Sequence, residues 1–471
     1  MKNATHYSAA STLEAFVTHP CQRLILLIGV AALLTGCGAG WQYHAGTSPW
    51  RSGSGSGSGT GIRGTVFGGQ QPLVGASLQL YAANLSGYGN MASPLLPAGS
   101  IQTEADGGFD ITGQYTCPVP DAPVYLVATG GNPGLSASNP NLAEMAALGS
   151  CSALQASDTT VVKMNEVTTV AAAYALAPFM TGIASMSTSP SNTAGLNFAF
   201  ADVNQLVNNA TGTSPGADLP PGASLPRAQL NALADSLGAC VDSTGGTAGD
   251  TSACGTLFAA ATPPGGTAPT DTVSAVIEIV QHPGQNVAAI YALAAASHPF
   301  RPTLTAAPND WTLAVTYTGG GLSAPSAVAV DADGNVWITN RGANTVTELA
   351  PSGAVLATSA AALSGPAAVA LDASGDPWIA NATANTLTHL SDSATVTSSA
   401  SGGLSVPAGL AIDPQGNLWV SNSGAASVSE FTSTGSSLSG NGFAGSGITN
   451  PLGIAVSTYC SRFAAPFCPN D

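Results

Sequence analysis

The chain has 471 residues, enough for about two to four domains, each with a core of its own. Only 7% of residues are charged, against about 25% in an ordinary soluble protein, yet 44% are hydrophobic and fall in periodic runs, which excludes general disorder. The formal net charge of -16, with few and scattered Lys and Arg, excludes nucleic-acid binding and a polybasic membrane patch.

At the N-terminus, Lys2 and Arg23 flank a polar lead that runs into the apolar stretch Leu24 to Leu34. That stretch is short for a membrane span and suits the apolar region of a signal peptide. It ends in Leu34-Thr35-Gly36-Cys37, which resembles the lipobox of bacterial lipoproteins. The resemblance implies a signal peptide over 1–36, cleavage before Cys37, and lipid on that thiol. Gly38 in place of Asp after the cysteine implies the outer membrane. A stalk over 37–60 follows, with Ser-Gly units from Ser52 to Gly59 behaving as a flexible coil. Of eight cysteines, Cys21 leaves with the signal and Cys37 carries lipid, so six remain. They fall into local pairs, Cys117 with Cys151, Cys240 with Cys254 and Cys460 with Cys468. An even set in an exported chain reads as disulfides, with the connectivity open. Zinc-type Cys-x-x-Cys spacing is absent, and no metal is expected.

The region 61–162 reads as a small β module. Gly64 to Phe67, Pro72 to Ala76 and Ser77 to Leu80 give strand, turn and alternating strand. Thr103 to Phe109 is a glycine turn opening another strand, and Val124 to Thr129 is an apolar one. The pattern G-x-V, P-L-x-G-A-x-L-x-L and A-D-G-x-F resembles the carboxypeptidase regulatory-like β-sandwich family, which implies an accessory module. Asp106 beside two glycines reads as a turn residue.

Over 163–300 the apolar period becomes helical and Ala-rich. Val167, Val170, Ala171 and Tyr174 form a stripe that Asn165 caps and Pro178 ends. Leu230 to Val241, Val273 to Val280 and Val287 to Ala294 give three more, and Val203, Leu206 and Val207 a weaker one, so a helical bundle is expected. Val167 to Met186 is uncharged, but its Thr residues, Pro178 and Gly182 argue against a membrane span. Proline-rich segments at Pro215 to Pro226 and Pro263 to Pro269 read as exposed loops, and His282 and His298 as helix-boundary residues.

From 301 to 471 the chain repeats itself. PSAVAVDADGNVWITN, PAAVALDASGDPWIAN and PAGLAIDPQGNLWVSN recur at a 41-residue period, giving copies at 325–365, 366–406 and 407–450. A fourth copy opens PLGIAV at 451 and then departs, which reads as a truncated or frameshifted propeller. A period near 40 with strand, glycine turn and strand is the signature of propeller blades. Trp311 to Thr318 alternates and reads as a closing outer strand. The D-x-x-G-N-x-W spacing resembles the NHL-repeat family and the streptogramin (virginiamycin B) lyase propellers. The fold class is therefore multi-domain and mainly β: a small β-sandwich, an Ala-rich helical module and an incomplete NHL-type β-propeller at the C-terminal end.

The repeats offer few chemical groups. Asp331-Ala332-Asp333-Gly334-Asn335 lacks the ligand spacing of a calcium loop and reads as a turn. Trp337, Trp378 and Trp419 share one register and are expected to fill the space between blades. Glu348, His389 and Glu430 share another, on third strands about 10 Å outside the axial ones, where they diverge. The lyase resemblance implies His and Glu converging on the central face, yet His389 is the only histidine of the copies. What remains is the face carrying Asn340, Arg341, Asn344, Asn381, Asn385 and Asn422, where Arg341 is the only base in the repeats. No phosphate loop or His-Glu-x-x-His occurs. The expectation is an exported, lipid-anchored binding protein that uses no cofactor. Its partners are the membrane, an unknown protein or glycan, and a second copy meeting an open propeller edge; the alternatives are a lyase-like propeller enzyme and an envelope spacer.

Overall fold

The structure is a computed structural model that describes residues 61–456, apart from 114, 158, 296–298, 360–362 and 446. Cys37, Cys460, Cys468 and His298 lie outside the described residues, as do the signal and the stalk.

Nine strands and one short helix form the first layers. They are β1 (Gly61–Gly68), β2 (Gln71–Pro72), β3 (Ser77–Ala82), β4 (Ser93–Pro94), β5 (Ile101–Gln102), β6 (Gly108–Thr112), β7 (Pro123–Thr129), β8 (Ala143–Ser150), α1 (Cys151–Ala156) and β9 (Thr159–Met164). One sheet joins β2, β1 and β6, with β9 running parallel to β1 on its other side. β9 passes so near that a Cβ on Gly64 would stand 1.8 Å from the Val162 carbonyl oxygen, so only glycine fits. The second sheet runs β4-β3-β7-β8, with β5 also on β3. Alternation sends Ile62, Val66, Phe109 and Ile111 from one sheet against Leu78, Leu80, Val124 and Leu126 from the other.

The second sheet is buried on both faces. Tyr125 and Val127 of β7, with Ala143, Met145 and Ala147 of β8, belong to the core of the helices. This is why Val124 to Thr129 is apolar without alternation. The helical layer comprises α2 (Glu166–Leu176), a hairpin of β10 (Met180–Gly182) and β11 (Ser185–Met186), α3 (Thr193–Leu206), β12 (Ala223–Ser224), α4 (Arg227–Val241), α5 (Ala253–Ala261), α6 (Thr272–Gln281) and α7 (Val287–Ala294). The Asn165 side chain caps α2 by accepting from the Val167 and Thr168 N–H groups, and Thr168 Oγ1 accepts from the Asn165 N–H. α2 is central, with Val167 through Ala173 all buried, which accounts for the lack of charged residues after Glu166. No helix among the described residues is long and apolar enough to cross a membrane. Among the described residues two disulfides form, Cys117–Cys151 and Cys240–Cys254, the latter tying α4 to α5.

One expectation is corrected. Trp311 to Thr318 closes no propeller: Trp311 is fully buried in the helical core, its backbone N–H donating to the Pro283 carbonyl, and β13 (Thr316–Tyr317) pairs with β12. Burying that indole outweighed the alternating pattern around it.

Three four-stranded antiparallel sheets then follow as propeller blades. They are β14 (Pro325–Val330), β15 (Val336–Asn340), β16 (Thr345–Leu349) and β17 (Val355–Thr358); β18 (Pro366–Leu371), β19 (Pro377–Asn381), β20 (Thr386–Leu390) and β21 (Val396–Ser401); and β22 (Pro407–Ile412), β23 (Leu418–Asn422), β24 (Ser427–Phe431) and β25 (Phe443–Ala444). Each opens on proline, which has no N–H to give a ladder and is tolerated at a strand's first residue. The blades stack through the repeat's apolar positions. Trp337 and Trp378 are each 1% exposed, Trp378 packing among Leu410, Leu418, Val420 and Phe431 of the next blade.

Candidate functional site

The repeats have two chemically distinct ends. At one end lie the loops between second and third strands, where the candidate binding residues fall. Asn340, Asn381 and Asn422 are buried there, and their amides are consumed within the blade. Asn340 Nδ2 donates to Thr347 Oγ1 at 2.9 Å, Asn381 Nδ2 to Thr388 Oγ1 at 2.9 Å and Asn422 Nδ2 to Ser429 Oγ at 2.8 Å. Their Oδ1 atoms accept from the Ser323, Ser364 and Ser405 N–H groups. A ligand on this face would not meet these three, because each strand end turns its side chain into the blade.

Asn344 and Asn385 are exposed and left-handed, with φ of 56° and 55°, a conformation asparagine tolerates better than most residues. Each Oδ1 accepts an N–H at the entry to the next blade, from Gly365 at 2.8 Å and Val406 at 2.6 Å. The loops are therefore pinned at both ends. Arg341 is exposed between those pins and pairs with no acid among the described residues.

At the opposite end lie the turns joining first and second strands. In the first blade Asp331 Oδ1 accepts from the Asp333 and Asn335 N–H groups, Asn335 Nδ2 donates to Asp331 Oδ2 at 3.0 Å, and Gly334 takes φ of 81°. This closed five-residue turn is the physical content of D-x-x-G-N. The third blade repeats it with Asp413 and Asn417, and Trp419 Nε1 adds a bond to Asp413 Oδ2. Partial burial works against ionising Asp413, but bonds from Trp419, Asn417 and Gln415 hold its carboxyl below its ordinary value. Glu348, opposite Trp337 on β16, is pushed up by burial and then by the neighbouring Asp331 and Asp392 charges.

The second blade departs from its neighbours at both variable places. Asp376 stands where the others have asparagine, and His389 where they have glutamate. Asp372, Asp376 and His389 each offer a ligand atom, and all three atoms lie within 4.8 Å of one another. His389 Nε2 is 3.1 Å from Asp372 Oδ2, and its Nδ1 is 2.9 Å from Thr397 Oγ1. The imidazole stacks on Trp378 with ring centroids 4.5 Å apart. Sequence reasoning that expected no metal missed this group, since it compared Glu348, His389 and Glu430 with one another and not with the turn beside each. The signal was legible as two departures in one repeat.

A cleft of about 260 Å³ lies between the loop at Pro220–Ala223 and the outer strands of the first blade. Tyr317 is the one titratable side chain in its lining, and its hydroxyl already donates to Gln205 Oε1 at 2.7 Å.

No protein-family model and no curated protein matches the sequence. Solved structures resemble part of the chain. Virginiamycin B lyase from Staphylococcus aureus is similar at 16% identity over 31% of this chain and 49% of that one, with a TM-score of 0.28. Hydrazine synthase from Kuenenia stuttgartiensis is similar at 20% identity over 29% and 40%, with a TM-score of 0.26. A Bacteroides caccae protein of unknown function is similar at 19% identity over 28% and 54%, with a TM-score of 0.24. The chain spans about half the length of the lyase it matches.

Proposed function

We propose that this is an exported, lipid-anchored envelope protein whose propeller-like repeats bind a protein or glycan partner on the face of the pinned loops. The observation that carries the reading is the clamping of those loops. Asn340, Asn381 and Asn422 staple each loop from within, and Asn344 and Asn385 tie it to the next blade. The tips at Arg341 to Ala343 and Thr383 to Ala384 stand exposed between these ties. Rigid scaffolds with ordered loops bind at low entropic cost, because little freedom is lost on association. Arg341 is the lone cation on this face of an acidic chain, which favours an acidic or carboxylate-bearing partner.

Two disulfides accord with an oxidising compartment and hence with export. The lipobox-like sequence ending at Cys37 supports the anchor, and the carboxypeptidase regulatory-like pattern supports an accessory role for the β-sandwich. A lyase reading gains no residue here, because His389 is held within its own blade by Asp372 and Thr397. The open side of the first blade supports self-association as well.

The test is a glycan array and an envelope-extract pull-down with the intact protein. Saturable binding, weakened at least about tenfold by Arg341→Glu, is expected from loss of a charge-assisted contact. Binding indifferent to that reversal overturns the assigned face. Metabolic palmitate labelling that survives Cys37→Ala overturns the anchor.

A further inference from the structure

We infer that Asp372, Asp376 and His389 form a binding site for a divalent metal cation of the zinc class. The other blades serve as internal controls. In both, the fifth residue of the turn is asparagine, whose amide donates to the first carboxylate at 3.0 Å and closes the loop without a second charge. In the second blade Asp376 puts a carboxyl group in place of that amide, so two carboxyl groups share one turn. Like charges this close are unfavourable unless a cation lies between them. The same blade replaces the glutamate that would add a third anion with a histidine, so both departures favour one bound cation.

The geometry suits the ion. Asp372 Oδ1 is engaged by the Ser374 and Asp376 N–H groups, at 2.8 and 3.1 Å, which fixes the carboxylate and turns Oδ2 toward His389 Nε2. Zinc lies about 2.0–2.2 Å from nitrogen and oxygen ligands, so a cation touching both atoms across their 3.1 Å separation subtends an angle of roughly 95°. That is open to tetrahedral completion by Asp376 and a water. Thr397 Oγ1 is placed to accept from Nδ1–H while its own proton reaches the His389 carbonyl oxygen at 3.2 Å, leaving the Nε2 lone pair facing the two acids. A metal-bound histidine has such a partner on its second nitrogen. The stacked Trp378 ring holds the imidazole plane. An imidazole among the ligands selects zinc-like ions over calcium or magnesium, which take oxygen alone. The bound ion would tie the turn between β18 and β19 to β20.

The competing arrangement is a plain hydrogen bond, with Nε2–H donating to Asp372 and no ion. Calorimetric titration of the metal-stripped full chain with zinc chloride separates them, with cobalt(II) absorption reporting the ligand set. One saturable zinc per chain is expected, together with a zinc-dependent rise in melting temperature. Asp376→Asn, and the double variant Asp376→Asn with His389→Glu, restore the residues that the sister blades carry and so retain a turn that folds. Each is expected to weaken zinc at least about tenfold and to abolish the melting shift. No saturable binding by the wild-type chain, or binding unchanged in Asp376→Asn, overturns the site.

Discussion

Glu166 opens α2 fully buried, its two carboxylate oxygens accepting the Gly69 N–H at 2.8 and 3.0 Å. Burial first, and the Asp242 carboxylate second, push it from 4.5 up to about 8, against the bonds from its own N–H and from Gly69. Glu144 on β8 is raised well above its ordinary range by burial and by Glu166, although it accepts a hydrogen bond from the Thr169 hydroxyl. Each raised value means that the native state holds protons which the unfolded chain releases. Their contribution to stability is therefore complete below about pH 4.5 and is lost as pH rises through about 8. Every unit of such a shift is worth about 1.4 kcal/mol. Melting temperature should fall between pH 5 and pH 9, and Glu144→Gln should flatten the slope, since an amide keeps the acceptor for Thr169 and cannot ionise. Thermal unfolding across a pH series checks this; a wild-type midpoint that climbs over that range contradicts it.

The blade is the element whose sequence and structure agree best. Asn381 is 1% exposed, and its amide joins β19 to Thr386 and Thr388 of β20 while holding the Ser364 N–H. Asn381→Ala removes these bonds and orphans buried groups, at a cost of about 2–4 kcal/mol, whereas exposed Arg341→Ala should stay within about 0.5 kcal/mol. Denaturant midpoints of the two variants measure the difference, and equal midpoints would sink the staple assignment. The blades were legible because a period of two, fixed by the pleat, repeats every 41 residues with Trp and Asn in register. The cap of α2 was legible because Asn165 and Pro178 act locally. β8 was not: Ala-Glu-Met-Ala-Ala-Leu is made of good helix formers, yet burial between two layers makes it a strand. α5 was missed for a related reason, since Ala253 to Ala261 offers small residues without a polar face. The three-residue cluster around His389 was only half visible, because its members converge through strand pairing and not through local spacing.

At the scale of the whole molecule the same repeat shows where the arc is open. Val369 and Leu410 occupy one position of the inner strand and are 8% and 9% exposed, covered by the preceding blade. Val328 holds that position in β14 and is 62% exposed, and Val330 two residues on is 61% exposed. Nothing among the described residues covers them. This face has the chemistry of a blade interface, and by repetition the surface that fits it is the outward side of a last blade. On the third blade Trp419 is only partly covered, stacking on the exposed Phe443 at 6.1 Å, while residues 451–456 lie along the inner strand with the Leu452 carbonyl oxygen 3.4 Å from Ser421 Oγ. In the self-association proposed above a second copy supplies that outward side, and two arcs of three blades make six, within the range of four to eight over which propellers close. Burial of two valines and the strand around them, at about 25 cal/mol per Å², favours association and recurs at both junctions. Sedimentation equilibrium should show a concentration-dependent dimer, and Val328→Lys with Val330→Lys should shift it to monomer without lowering the melting temperature below that of the dilute, monomeric wild type, because neither side chain is packed in the protomer. A monomeric wild type, or a dimer insensitive to both lysines, would rule out closure through β14.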